Sequence, residues 1–268
     1  MKIGNREFDF SRSTYIMGIL NVTPDSFSDG GKWNDMDKAL RHVEDMMQEG
    51  ADVIDVGGES TRPGHLQISD EEEIARVAPV IAAIKQRFDV PVSVDTYKSA
   101  VARAALEEGA DLINDIWGFK YDEQMAGVVA ASGAACCLMH NKNEAVYQDF
   151  MKDMMEETLE CARIAEKAGV EKDRILLDPG IGFGKTYEMN LEALRRLKEF
   201  CELGYPVLLG TSRKSVIGLA LDLPSDQRVE GTLATTVLGV LAGCAFVRVH
   251  DVRENRRAIR MTEAILGK

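Results

Sequence analysis

Gly50-Ala-Asp-Val-Ile-Asp-Val56 and, further along the chain, Gly109-Ala-Asp-Leu-Ile-Asn-Asp115 read as one unit used twice. In each, a glycine suited to the position just past a helix leads into a short run of β-branched and apolar residues. Gly169 and Gly204 stand before runs of the same kind. Working outward, we find eight such runs, at 15–20, 53–56, 92–94, 112–113, 134–139, 174–177, 206–209 and 246–249. Near-continuous apolar runs suit strands buried on both faces, as in parallel sheets. The segments between them carry helical signals. Ser69-Asp70-Glu71-Glu72 is a capping box, with Ile74, Val77, Ala78, Ile81 and Ile84 following at helical spacing. Thr96 is expected to cap the next helix. Eight evenly spaced βα units in a chain of 268 residues predict an α/β fold, a (β/α)8 TIM barrel forming a single domain over 1–268. The competing architecture is an open doubly wound sheet.

Composition narrows the function. With 32 basic and 44 acidic residues the net charge is −12, and the pI is near 4.9. That balance argues against nucleic acid and against anionic membranes as partners. The most apolar stretch, 233–247, holds two threonines and two glycines and is too short for a span. The start, MKIGNREFDFSRS, lacks the apolar core of a signal peptide. Five scattered cysteines without a C-x-x-C pair read as reduced core residues of a cytoplasmic protein.

In such barrels the chemistry sits at the C-terminal ends of the strands. The residues just past the runs are Asn21; Gly57-Gly-Glu-Ser-Thr-Arg-Pro-Gly64; Asp95; Asn114 and Asp115; His140 and Asn141; Asp178; Thr211 to Ser215; and Arg248 with His250. Taken singly, Asp95 could be a helix cap and Asn114-Asp115 a turn. Their convergence on one mouth favours a site. Gly180-Ile-Gly-Phe-Gly-Lys-Thr186 ends like a phosphate loop, but Pro179 and Lys185 stand where the two phosphate-binding motifs need glycine. Its glycines are expected to allow a flat ligand to approach the backbone. Arg62, Lys214, Arg248 and His250 read as a local cationic patch for a small, strongly anionic group such as a diphosphate.

Gly18-Ile-Leu-Asn-Val-Thr-Pro-Asp-Ser-Phe-Ser-Asp-Gly-Gly31 resembles the signature of the dihydropteroate synthases. Segments 57–64, 93–96, 113–115, 178–185, 212–215 and 247–251 resemble further motifs of that family, in family order. The resemblance implies a barrel transferase of folate biosynthesis. Such an enzyme joins 6-hydroxymethyl-7,8-dihydropterin diphosphate to p-aminobenzoate, is commonly a homodimer, uses Mg2+, and is the target of sulfonamides. It places the pterin with Asp95, Asn114, Asp178 and Lys214. The diphosphate falls to Asn21, Thr61, Arg62, Arg248 and His250, with Asn21 as the Mg2+ ligand. p-Aminobenzoate falls to Phe27, Pro63, Phe183, Lys214 and Ser215. Asp29, Lys214, Asn21, Arg248 and His250 are the expected catalytic groups; His140 receives no role. A corrinoid-dependent methyltransferase domain shares the barrel and the acidic pterin pocket, but it has no use for diphosphate loops. A non-catalytic pterin-binding paralogue is expected to have lost Asn21, Arg62, Lys214, Arg248 or His250, and all five are present.

Overall fold

The structure, a computed structural model, describes residues 1–22, 31–59 and 67–268, with the backbone alone at 31–35. Asp29, Phe27, Thr61, Arg62 and Pro63 therefore lie outside the described residues.

The eight apolar runs become eight parallel strands: β1 (Tyr15–Asn21), β2 (Val53–Gly57), β3 (Val92–Asp95), β4 (Leu112–Asp115), β5 (Ala135–Met139), β6 (Ile175–Asp178), β7 (Leu208–Leu209) and β8 (Phe246–Val249). Their order is β6-β5-β4-β3-β2-β1-β8-β7. A parallel bridge between Leu177 and Val207 joins the two ends, so the sheet closes into a barrel. Pro206 has no N–H to give, but its carbonyl accepts from Leu177 at 3.0 Å. The open-sheet alternative is thereby excluded.

Among the described residues ten helices surround the strands: α1 (Gly31–Glu49), α2 (Asp70–Arg87), α3 (Ser99–Glu107), α4 (Met125–Ser132), α5 (Phe150–Ala168), α6 (Tyr187–Arg195), α7 (Leu197–Cys201), α8 (Ser215–Leu221), α9 (Val229–Ala242) and α10 (Val252–Leu266). Among the described residues no helix is long and apolar enough to cross a membrane. Ser69 caps α2 as expected, its side chain accepting from the Glu72 N–H. Thr96 does not cap α3. The first N–H of that helix, from Ser99, goes instead to Asp122 Oδ2 at 2.8 Å, a partner supplied by the following loop. Gly50, Gly109 and Gly169 end their helices at φ of +108°, +99° and +105°, where a side chain would be strained.

Within each strand successive side chains alternate between barrel and helices. Ile16, Leu20, Ile54, Val56, Val92, Val94, Ile113 and Leu138 pack against the helix layer. Met17, Val53, Leu112, Cys137, Leu176, Leu208 and Phe246 fill the lower barrel. An antiparallel hairpin, Lys2–Ile3 with Arg6–Glu7, brings Ile3 and Phe8 beneath them as a plug. With its lower half filled, the barrel leaves its upper, C-terminal end for polar groups.

Candidate active site

The same alternation that turns Val53 inward turns Asp55 inward. Asp55 is fully buried and accepts from Ser93 Oγ at 2.5 Å, Asn114 Nδ2 at 3.3 Å and Arg248 Nε at 2.6 Å. It is thus the floor of the site, and the sequence reading missed it. The available signal was a carboxylate, sharing the parity of Val53, inside an otherwise apolar strand.

Above it, Arg248 also donates through Nη2 to Asp95 Oδ2 at 2.6 Å. The other oxygen, Asp95 Oδ1, is buried and has no hydrogen-bond partner among the described residues. Burial pushes the Asp95 carboxyl up to about 7 despite Arg248, and Asp55 raises it further. Asp95 is therefore not a helix cap. Asp115 points the other way and makes a turn, its two oxygens accepting from the N–H groups of Trp117 and Phe119.

Asp178, at the end of β6, accepts from the Gly180 N–H at 2.7 Å. A Cβ at Gly210 would sit 3.3 Å from Asp178 Oδ2 and 3.7 Å from Lys214 Nζ, so the glycine after β7 leaves room for these two to face each other. Lys214 donates to the Ile181 carbonyl at 2.5 Å, and its ammonium stands 4.8 Å from the centre of the Phe183 ring. Burial lowers Lys214 to about 8, with Asp178 opposing that shift. The backbone of Arg213 holds a left-handed φ of +57°, and Arg213 pairs with Asp251 at 2.5 Å, which fixes the turn presenting Lys214. Asn21 closes β1, exposed, with its Oδ1 3.6 Å from a Cβ built on Gly57. His250 accepts from or donates to Ser212 Oγ through Nδ1 at 2.9 Å. Ser215 opens α8 and is exposed.

Nine expected site residues thus gather at the strand ends: Asn21, Asp95, Asn114, Asp178, Phe183, Lys214, Ser215, Arg248 and His250. The expected cationic patch needs correction. The described floor sets Asp55, Asp95 and Asp178 against Arg248 and Lys214, because Arg248 spends two of its nitrogens on carboxylates. Such a floor suits a ligand rich in N–H groups more than an anion.

The glycine loop is also corrected. Side chains at Gly180 or Gly184 would strike the backbone of His140 and Lys142, so these glycines serve a close approach within the chain. Of the three, Gly182 alone faces Lys214: a Cβ built there would sit 3.4 Å from the lysine Cδ. Lys185 ties the loop down, donating to His140 Nδ1 (2.9 Å) and to the carbonyls of Gly180 (2.9 Å) and Phe183 (3.0 Å). With Nδ1 accepting, Nε2–H of His140 donates to Glu157 at 3.0 Å. Burial and the flanking ammonium groups hold this imidazole neutral, down to about 2. His140 is a loop anchor.

A second network borders the loop after β2. Lys98 Nζ donates to Glu59 Oε2 (2.7 Å), Glu73 Oε2 (2.8 Å) and the Ile68 carbonyl (2.8 Å). Glu59 also accepts from Tyr97 Oη at 2.6 Å and the Ile68 N–H at 3.1 Å. Glu59 and Ile68 are thereby held by the same buried ammonium.

A closed barrel with a carboxylate-lined, amide-bearing mouth defines a binding site for a flat, N–H-rich heterocycle. Over residues 17–250 the sequence matches the pterin binding enzyme family, and the chain belongs to it. It is 61% identical to the dihydropteroate synthase of Clostridium beijerinckii, with 100% of each chain covered. A crystal structure of the Clostridium difficile dihydropteroate synthase in the presence of pteroic acid superposes with a TM-score of 0.95 at 53% identity, covering 98% of this chain and 100% of that one. The Yersinia pestis dihydropteroate synthase in complex with a sulfonamide drug gives 0.93 at 41% identity, covering 100% and 99%. Within the family, this transferase groups with the dihydropteroate synthases.

Proposed function

We propose that this chain condenses 6-hydroxymethyl-7,8-dihydropterin diphosphate with p-aminobenzoate, giving 7,8-dihydropteroate and pyrophosphate. The observation that carries this is the buried, unpartnered Asp95 Oδ1 beside Asn114, Asp178 and Lys214. A pterin edge offers an N–H beside an amino group, and the Asp178 carboxylate can accept both. Asn114, held by Asp55, both donates and accepts at the same edge. Asp95 Oδ1 takes a further ring N–H, and Lys214 donates to the ring carbonyl and N5. With the carboxylates on the floor, the diphosphate belongs at the rim, with Asn21, the remaining edge of Arg248, His250, Thr61 and Arg62.

Among the described residues no three His, Cys, Asp or Glu side chains gather as a metal site. The donor set still fits Mg2+, which needs few protein ligands when phosphate oxygens and water complete its shell. The exposed amide oxygen of Asn21 is the hard donor available at the rim. When bound there, Mg2+ would neutralise charge on the diphosphate. The residues of the mouth orient the pterin and stabilise its diphosphate as the C–O bond breaks. The methylene left behind is a cation delocalised into the dihydropterin, and the Asp29 carboxylate is the group assigned to stabilise it. The weakly nucleophilic aryl amine then attacks from beside Phe183, Lys214 and Ser215, the p-aminobenzoate site to which the resemblance also assigns Phe27 and Pro63. Much of the rate gain is positioning.

The proposal extends to sulfonamides as competitors at the p-aminobenzoate pocket. It also extends to work in the cytoplasm, which suits five free cysteines, and to a homodimer. Exposed Leu219, Leu221, Leu238, Leu241, Met261 and Ile265 on α8 to α10 support the dimer, as apolar side chains that a second copy could cover. Pyrophosphate release from the pterin diphosphate, measured with and without p-aminobenzoate and Mg2+, tests the reaction. Release that requires both is expected. Tight binding without release would replace the synthase with a binding paralogue.

A further inference from the structure

At the end of the barrel opposite the mouth, two cysteines far apart in sequence meet. Cys201 ends α7, ahead of β7, and Cys244 stands between α9 and β8. β7 and β8 are paired neighbours, with Phe246 opposite Leu208. The two Sγ atoms are 3.7 Å apart, across a sequence separation of 43 residues. Cys244 is 2% exposed, while Cys201 is half-buried. The other three cysteines lack such an arrangement. Cys136 and Cys137 are consecutive on β5 and so point to opposite faces, and Cys161 packs under Gly118.

We propose that Cys201 and Cys244 are a modification site: a dithiol that a small-molecule disulfide oxidises reversibly to an intramolecular disulfide. Closing 3.7 Å to a bond of about 2.05 Å asks for a small rotation of the side chains. Cys201 lies in the last turn of a five-residue helix, followed by an irregular segment that can yield. The hydrogen bond with Cys244 holds the Cys201 thiol below its ordinary value, which favours the thiolate as first attacker. Burial pushes the Cys136, Cys137 and Cys161 thiols up, and the hydrogen bond to Cys201 together with burial raises Cys244 too, so Cys244 differs from those three by its contact with Cys201 and acts second.

With oxidised glutathione as reagent, the Cys201 thiolate attacks one sulfur and the reagent's S–S bond breaks. One glutathione thiolate leaves and takes up the proton that Cys201 gave to solvent. Cys244 then attacks the Cys201 sulfur of the mixed disulfide. Its thiol proton passes to the second departing glutathione thiolate. Two protein thiols are oxidised and one disulfide is reduced to two thiols. The resulting covalent loop would enclose β7, Lys214 and Ser215, yet its clasp lies on the face that carries stability rather than chemistry.

The test is intact-mass analysis and peptide mapping of the reduced, full-length protein after incubation with oxidised glutathione. Expected are the loss of two hydrogens, loss of two of the five thiols, a Cys201–Cys244 linked peptide, and reversal by dithiothreitol. Cys244→Ser should stop the reaction at a glutathione adduct on Cys201, and Cys136→Ser should change nothing. An unchanged mass, a glutathione adduct that persists on wild-type Cys201, or a linkage between any other pair would overturn the proposal.

Discussion

Replacing Lys98 by Met removes one ammonium from between two carboxylates. The side chains of Lys98, Glu59 and Glu73 are 4%, 2% and 1% exposed, so none of the three can turn to water. Burial raises Glu73 by more than Lys98 beside it lowers it, and Glu59 adds a smaller push in the same direction. Burial alone would lower Lys98, but two carboxylates hold it above its ordinary value. Breaking a buried ion pair by removing one partner costs about 3–5 kcal/mol. The Ile68 carbonyl also loses a donor, while Met keeps the apolar packing of the lysine stem. An upper bound comes from protonation. A carboxyl with an unfolded value near 4.5 can be neutralised at pH 8 for about 4.8 kcal/mol, and at pH 5.5 for about 1.4 kcal/mol. The sign follows from linkage. A carboxyl raised in the folded state contributes stability that is full below its unfolded value and lost as pH rises. The variant should therefore be destabilised by about 4 kcal/mol at pH 8 and by less than half of that at pH 5.5. Urea unfolding at the two pH values measures both numbers. Adding Glu73→Gln removes one unpaired charge and should recover about 1–2 kcal/mol at pH 8. A loss below about 1 kcal/mol at pH 8, or a penalty that grows as pH falls, would refute the reasoning. Because Glu59 and Ile68 border segment 60–66, the variant should also raise KM for the pterin diphosphate more than it lowers kcat.

Lys214→Ala should weaken pterin binding roughly 10- to 100-fold, the range for one charge-assisted hydrogen bond; fluorescence titration giving wild-type affinity would remove Lys214 from the pterin site. Asp95→Asn should lose pterin affinity yet gain stability relative to wild type at pH 8 compared with pH 5. The folded Asp95 carboxyl is raised to about 7, so its contribution is present below its ordinary value and disappears as pH climbs to 7. Thermal melts at the two pH values check that sign. Lys185→Met should raise KM for p-aminobenzoate about tenfold with little change in pterin affinity, because the ammonium acts through the Phe183 carbonyl and the loop it holds. Equal losses for both substrates in steady-state kinetics would show that Lys185 does more than shape that loop.

The barrel was legible because eight strands buried on both faces leave eight apolar runs, and each run begins within two residues of its strand. The mouth was legible for the same reason, since a polar residue ending an apolar run marks a strand's C-terminal end. Asp55 was not, because it lies within such a run, and only the inward parity it shares with Val53 distinguishes it. Lys98, Glu59 and Lys185 escaped for another reason. Their partners come from the neighbouring βα unit, and only the pairing of β2 with β3 and of β5 with β6 brings Glu73 to Lys98 or His140 to Lys185. Local signals also misled where tertiary partners won. Thr96 looks like a cap until Asp122 takes the helix N–H. The glycines of 180–184 look ready for a ligand until the backbone at His140 and Lys142 fills the space.

The arrangement at the floor explains why Asp95, and not Asp55, is left for a ligand. Both carboxylates pair with the one Arg248 guanidinium. Asp55 adds Ser93 and Asn114, so its charge is fully used in holding Arg248 and orienting Asn114. Asp95 is the last residue of β3, beside Gly57, the last of β2, which offers no side chain to donate. Its Oδ1 is buried without a bond among the described residues, and burial raises the carboxyl despite Arg248. A ring N–H arriving there would supply what the fold omits, so the buried oxygen destabilises the unliganded protein and becomes a source of affinity once the heterocycle binds. Stability and binding therefore oppose each other at this one atom, and a substitution that relieves the first should weaken the second.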